Sequence, residues 1–130
     1  MRADVVIYNL LKDDYNIFPI VVPQAVNVAD GTVNMTYSLV STDAIVSKTS
    51  FNDYDKYLVQ LSIFCSDIDA AMTAADDART TLDRYTGTIT IGATAHNVQL
   101  IRFDSQEFVG FDEDNQVYMI AQDYQITMTA

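Results

Sequence analysis

The residues from Asp53 to Tyr85 change hydrophobic period once, at Asp67, and that change limits what the chain can fold into. Before it, Tyr57, Val59, Leu61, Ile63 and Cys65 fall on one face, with Lys56, Gln60, Ser62 and Ser66 mainly on the other. This is the period of a strand with one buried side. After it, Ile68, Ala71, Met72, Ala75, Ala78, Leu82 and Tyr85 recur at the three- and four-residue spacing of an amphipathic helix. Asp67 stands where an N-cap carboxylate would accept the first free amide hydrogens. Asp69 puts negative charge at the positive end of the helix dipole, and Arg79 and Arg84 lie toward the other end. Leu61, Ile63, Ile68, Met72, Ala75 and Leu82 are the expected strand–helix contact.

The rest of the chain supplies partners for this unit. Ala3 to Lys12 reads as a short helix with Ala3, Ile7, Leu10 and Leu11 on one side, ended by Asp13, Asp14 and Asn16. Ile17 to Val22 is β-prone but holds Pro19 and precedes Pro23, so it reads as an edge strand or an extended connector. Asp30-Gly31 marks a turn. Met35 to Lys48 alternates again, and the run Phe51-Asn52-Asp53-Tyr54 turns it back into the central strand, making one long hairpin. Gly87 is expected to close the helix as its C′ residue. Thr88 to Ile91, Val98 to Phe103 and Gln116 to Thr129 read as strands, with Phe108 to Asn115 as an acidic loop around Gly110. The order predicts an α+β fold: an antiparallel sheet of four or five strands with two helices packed on one face. The other face is then wet or covered by another subunit.

At 130 residues the chain suits a single domain, spanning 1–130, with a real core. The apolar share of 49% and charged share of 19% belong to a globular chain. The longest apolar run, Ile17 to Val22, is too short for a membrane span and is broken by Pro19. The start, Met1-Arg2-Ala3-Asp4, is unlike a signal peptide. Eighteen acids against seven bases give a net charge of −11, and the bases never cluster along the sequence. That argues against direct phosphate binding, which needs grouped Lys and Arg to displace counterions. Cys65, the single cysteine, has no internal disulfide partner. It is expected to pack as a small apolar residue, as suits a reducing compartment.

Candidate chemistry fails on spacing. His96 is the only histidine, and it is expected in a Thr/Ala-rich turn after Gly92. One His and one distant Cys lack the ligand spacing of a zinc site. Gly87-Thr88-Ile89-Thr90-Ile91-Gly92 has the glycine spacing of a phosphate-binding loop, but Ala93-Thr94 replaces the required Lys and Ser/Thr. Asp112-Glu113-Asp114-Asn115 begins like a calcium loop, yet its sixth position is Val117 and its twelfth is Asp123. Asn34-Met35-Thr36 matches a glycosylation sequon without a secretion signal to support it. The 8 Tyr and 6 Phe lack the basic neighbours of a base-stacking surface, so core or subunit interface is the better reading. The residues thus point to no enzyme, no cofactor and no metal.

Four stretches together resemble the tail-completion, or tail-terminator, proteins of long-tailed bacteriophages and related prophages. They are the strand YSLVSTDAIVSKTS from Tyr37, the turn FNDYDKY, the strand LVQLSIFCSD, and the helix IDAAMTAADDARTTLD. The later strands VQLIRFDS and VYMIAQDYQITM, the N-terminal helix and the piece IFPIVVPQ fit the same pattern. Where that family often has a proline before the first long strand, this chain has Asn34-Met35. The likeness covers most of the chain as a pattern, with no diagnostic residue and no catalytic residues to carry over.

The resemblance implies a structural virion protein made in the host bacterial cytoplasm. It would form a ring, a hexamer by expectation, at the tail end near the head. That ring caps the tail tube, ends its polymerisation and joins tail to head. Its partners would be copies of itself, the major tail tube protein and head–tail connector proteins, with no membrane and no specific nucleic-acid binding. Another head–tail connector component, or a monomeric α+β ligand-binding or regulatory domain, are the alternatives. Within the leading reading, Phe51, Asn52, Asp53 and Tyr54 at the hairpin tip are expected to meet a neighbouring subunit or the tube. Asp104, Glu107, Asp112, Glu113 and Asp114 are expected to face the channel through which DNA passes.

Overall fold

In a computed structural model, the structure describes residues 4–19, 31–45 and 54–129. Two helices, α1 (Asp4–Leu11) and α2 (Ile68–Leu82), pack with six strands: β1 (Asn16–Pro19), β2 (Asn34–Ile45), β3 (Tyr54–Cys65), β4 (Gly87–Ile91), β5 (Thr94–Asp112) and β6 (Val117–Thr129). The strands form one sheet in the order β1-β2-β3-β6-β5-β4. The α+β expectation holds, but the sheet has six strands and is mixed, because β1 runs parallel to β2. Asn16 pairs with Asn34 and Pro19 with Tyr37. A four-residue edge strand holding a proline carries too little pattern to reveal its direction. The other neighbours are antiparallel, and β2 and β3 form the long hairpin read from the sequence.

β3 lies between β2 and β6, and its predicted inner face is the observed one: Tyr57, Val59, Leu61, Ile63 and Cys65 are all buried. The buried stripe of α2 is Ala71, Ala74, Ala75, Ala78 and Leu82. Four alanines let the helix backbone lie close to the sheet. Ile68 is half-buried and Met72 is 41% exposed, against the expectation that both lie in the contact. Successive residues turn by about 100° round a helix, so Met72 sits on the flank of the stripe that Ala71 centres. Asp67 caps the helix as expected, its carboxylate accepting from the Asp69 N–H at 3.0 Å. The other end departs from expectation. The helix stops at Leu82 with Asp83 as C-cap, and Arg84 takes the left-handed backbone (φ 66°), so Gly87 opens β4 instead.

One core joins both helices to the sheet. Val6, Ile7 and Leu11 of α1, the alanine stripe of α2, and Met35, Leu61, Ile63, Ile101, Ile120, Tyr124, Ile126 and Met128 belong to it. α1 touches β1 and β2 at one edge of the sheet and β4 at the other. A flat sheet could not bring both edges to one short helix, so the sheet curls round the helices as a half-barrel.

β5 is far longer than its sequence pattern suggests. The predicted strand ended at Phe103 and an acidic loop began at Phe108, but β5 continues to Asp112 and the turn covers only residues 113–116. Register shifts fall between Val98 and Leu100, Phe103 and Ser105, and Phe108 and Gly110. Each bulge inserts one residue and reverses which side chains face inward, erasing the period of two.

Candidate functional site

Cross-strand registers show how the sheet leaves its edges. The row Tyr37, Leu61, Gln122, Gln106 crosses the sheet where β1 covers β2. The row Leu39, Val59, Tyr124, Phe103 crosses where β1 has ended. At that level the β5 edge is covered by the segment after α2. The Asp83 carboxylate accepts from the Phe103 N–H at 2.9 Å, Arg84 N–H donates to the Ile101 carbonyl, and Ile101 N–H donates to the Tyr85 carbonyl. β4 pairs only with residues from Thr94 to Val98. Among the described residues, β2 therefore has no outer neighbour over 38–45, and β5 has none over 104–112. The two open edges lie at diagonally opposite corners of the sheet.

The five acids expected to face a channel are all exposed, and they fall into two groups. Asp104 and Glu107 lie on β5. Asp104 shares a cleft of about 120 Å³ with Ser41, Lys56 and Gln125. Asp112, Glu113 and Asp114 form the β5–β6 turn. Asp112 organises it, accepting from the side-chain amide of Asn115 at 2.7 Å and from the Asp114 N–H at 3.0 Å. The Asn115 amide holds the Asp112 carboxyl below its ordinary range, with the backbone N–H groups of Asn115 and Asp114 adding to it. The turn is thus built by its own first acid. Phe51, Asn52 and Asp53 lie outside the described residues, and the backbone of Tyr54 opens β3, paired with Ile45 on one side and Thr129 on the other.

The other residues singled out in the sequence take structural positions. His96 is on β5, paired with Ile89 and 9% exposed, with no hydrogen-bond partner at Nδ1; it is not a turn residue. No group of three or more metal-ligating side chains forms among the described residues. The glycine-spaced piece from Gly87 is β4 and its two-residue turn. Asn34 of the sequon is fully buried. Cys65 is a free, buried thiol whose Sγ lies 3.4 Å from the Gly31 carbonyl oxygen. Among the described residues, no helix is long and apolar enough to cross a membrane.

Two features escape a sequence reading. Arg79 and Arg84, at the end of α2, meet the distant Arg102 of β5 in one cleft of about 350 Å³ with Asp83 and Phe103. The Arg79 guanidinium sits 4.0 Å over the Phe103 ring. The second is the apolar character of the open edges. Leu39 and Val40 on β2, and Phe108, Val109 and Phe111 on β5, are five of the eight exposed large apolar side chains among the described residues. The uncharged run from Phe108 to Phe111, set inside an acidic stretch, is the one sequence signal that could have found the second.

No protein-family model matches the chain, and no curated protein matches it in sequence. In three dimensions it is similar to a chain from the virion of a native gene transfer agent particle, with a TM-score of 0.60 and 16% identity. The match covers 100% of this chain and 89% of that one, so the two share a fold over essentially their whole length.

Proposed function

We propose that this chain is a structural virion protein that forms a ring, six copies in number, at the head-proximal end of a tail. The ring caps the tail tube, ends its polymerisation and provides the surface on which head connector proteins dock. The observation that carries this reading is the whole-length likeness of fold to a chain of a gene transfer agent virion. The resemblance to tail-completion proteins points the same way. The partners in this reading are copies of the chain, the tube protein and connector proteins. The β2–β3 tip at Phe51 to Tyr54 reaches the tube or a neighbour. DNA passes through the ring past acids drawn from Asp104, Glu107, Asp112, Glu113 and Asp114, which repel phosphate and offer no counterion release.

Imaging of particles assembled without this chain tests the role. Tails of uncontrolled length, or tails separate from filled heads, are the expected result. Normal tails joined to heads would overturn it. A DNA-binding titration at low salt tests the channel: weak binding is expected, and tight, salt-sensitive binding would contradict a repelling wall.

A further inference from the structure

We infer that the two open sheet edges are the two halves of one contact: residues 38–41 of β2 in one copy of the chain pair with residues 108–111 of β5 in the next. The inference names the subunit contact within the ring reading above and rests on it for the number of copies only.

Four observations carry it. Each edge is a run of backbone with no outer neighbour among the described residues, and such rows of unpaired N–H and C=O groups are templates for another strand. Each edge also exposes apolar side chains. Val40 is 56% exposed beside Leu39, and Val109 is 53% exposed beside Phe108 and Phe111. Both valines occupy register shifts, between Leu39 and Ser41 and between Phe108 and Gly110. A bulge can protect an edge by bending it, but a bulge that turns an apolar side chain outward gives no protection against an apolar partner.

The third observation is charge. A chain of net charge −11 repels its own copies, so self-association needs surfaces without acids. Ser38-Leu39-Val40-Ser41-Thr42 and Phe108-Val109-Gly110-Phe111 carry none. The fourth is placement. The open runs lie at diagonally opposite corners of the sheet, at different levels along the strands, so one copy does not bring them face to face. A second copy can, and the join is head-to-tail, leaving a free edge at each end for the next copy. An unlike partner would need only one such edge; two in one chain fit a repeating contact. The aromatic cluster behind the β5 edge stiffens it: Tyr118 meets the Phe111 ring at 4.8 Å and the Phe108 ring at 6.3 Å.

Cysteine cross-linking tests the contact. Val40→Cys, Val109→Cys and the double variant are treated, at high protein concentration, with a bismaleimide whose spacer tolerates a register offset of a residue or two. The wild-type chain is the control, because its only cysteine, Cys65, is buried. The double variant should give a ladder of covalent multimers ending at one closed species, and an equal mixture of the two single variants should give dimers only. Adding Leu39→Asp to the double cysteine variant, which keeps both thiols, should abolish the ladder with circular dichroism unchanged. A double variant that stays monomeric, or single variants that dimerise alone as readily as the mixture, overturns the contact. The two claims fail separately: a ladder with normal tails in particles lacking the chain removes the function and keeps the contact. Defective tails without a ladder do the reverse.

Discussion

Gln122 shows how much a single buried amide settles in this protein. It is fully buried on β6. Its Nε2 donates to the Ala75 carbonyl at 2.9 Å and to Gln106 Oε1 at 2.8 Å, and its Oε1 accepts from the Tyr124 hydroxyl at 2.7 Å. One side chain thus ties α2, β5 and β6 together with its bonds satisfied, which is the condition for a polar group to be tolerated there. Replacing it with leucine keeps the volume but strands the Tyr124 hydroxyl, so Gln122→Leu should cost about 1–3 kcal/mol in chemical denaturation. Adding Tyr124→Phe should recover part of that loss, because the stranded group is then gone. Asp112 gives a pH signature. Its carboxyl is depressed in the folded state, chiefly by the Asn115 amide, so it binds its proton less readily there than in the unfolded chain. The stability it contributes is present above the unfolded value and lost as pH falls through the folded one, below the ordinary 3.8. The melting temperature of Asp112→Ala should therefore lie below wild type at neutral pH, and the gap should close under strong acid. Neither role was legible in the sequence. Gln122 sits in an alternating strand where an inward polar residue breaks the pattern, and only the partner strand explains it.

Among the elements, β3 and α2 were the most legible and β5 the least, for the same physical reason. A strand or helix advertises itself when one face is buried without interruption. β3 keeps strict alternation from Tyr57 to Cys65, and α2 keeps its stripe from Ala71 to Leu82. β5 is bulged three times, so its inward residues never recur at one period for long. Gly110, at φ 137°, then reads as a loop signal although it lies within the strand. His96 was misplaced in a turn for a related reason: the two-residue turn ends at Ala93 and the small residues after it are already paired. The helix stripe makes a sharp contrast available to experiment. Leu82→Ala, like Leu61→Ala, should cost about 2–5 kcal/mol, since each side chain is fully buried against the other layer. Met72→Lys, one flank away on the same helix, should leave thermal stability within about 0.5 kcal/mol of wild type. Equal losses at Leu82 and Met72 would show that the stripe is wrongly placed.

At the scale of the whole molecule, the proposal of a ring makes the surface the functional part, and surfaces are where sequence patterns carry least. Phe51 and Tyr54 are aromatics in an otherwise polar stretch, which suits a contact with another chain. Aspartate at both positions should block joining to tube or neighbour while the isolated chain stays folded; particles that assemble normally with both changes would remove the tip from the contact. The edges of the sheet lead to a different kind of constraint. β1 and β4 cover diagonal corners, so the two open edges are offset along the strands as well as across them. Copies joined edge to edge would then step along the strand direction at every contact, and a stepped chain of copies climbs into a spiral unless the strands lean. A circle closes only when that lean absorbs the whole step, the same link between stagger, slope and circumference that governs a closed barrel. In such a ring the diagonal covering by two short strands would set a pitch angle, and lengthening β1 or β4 by a few residues would be expected to change the number of copies in the circle rather than merely weaken it.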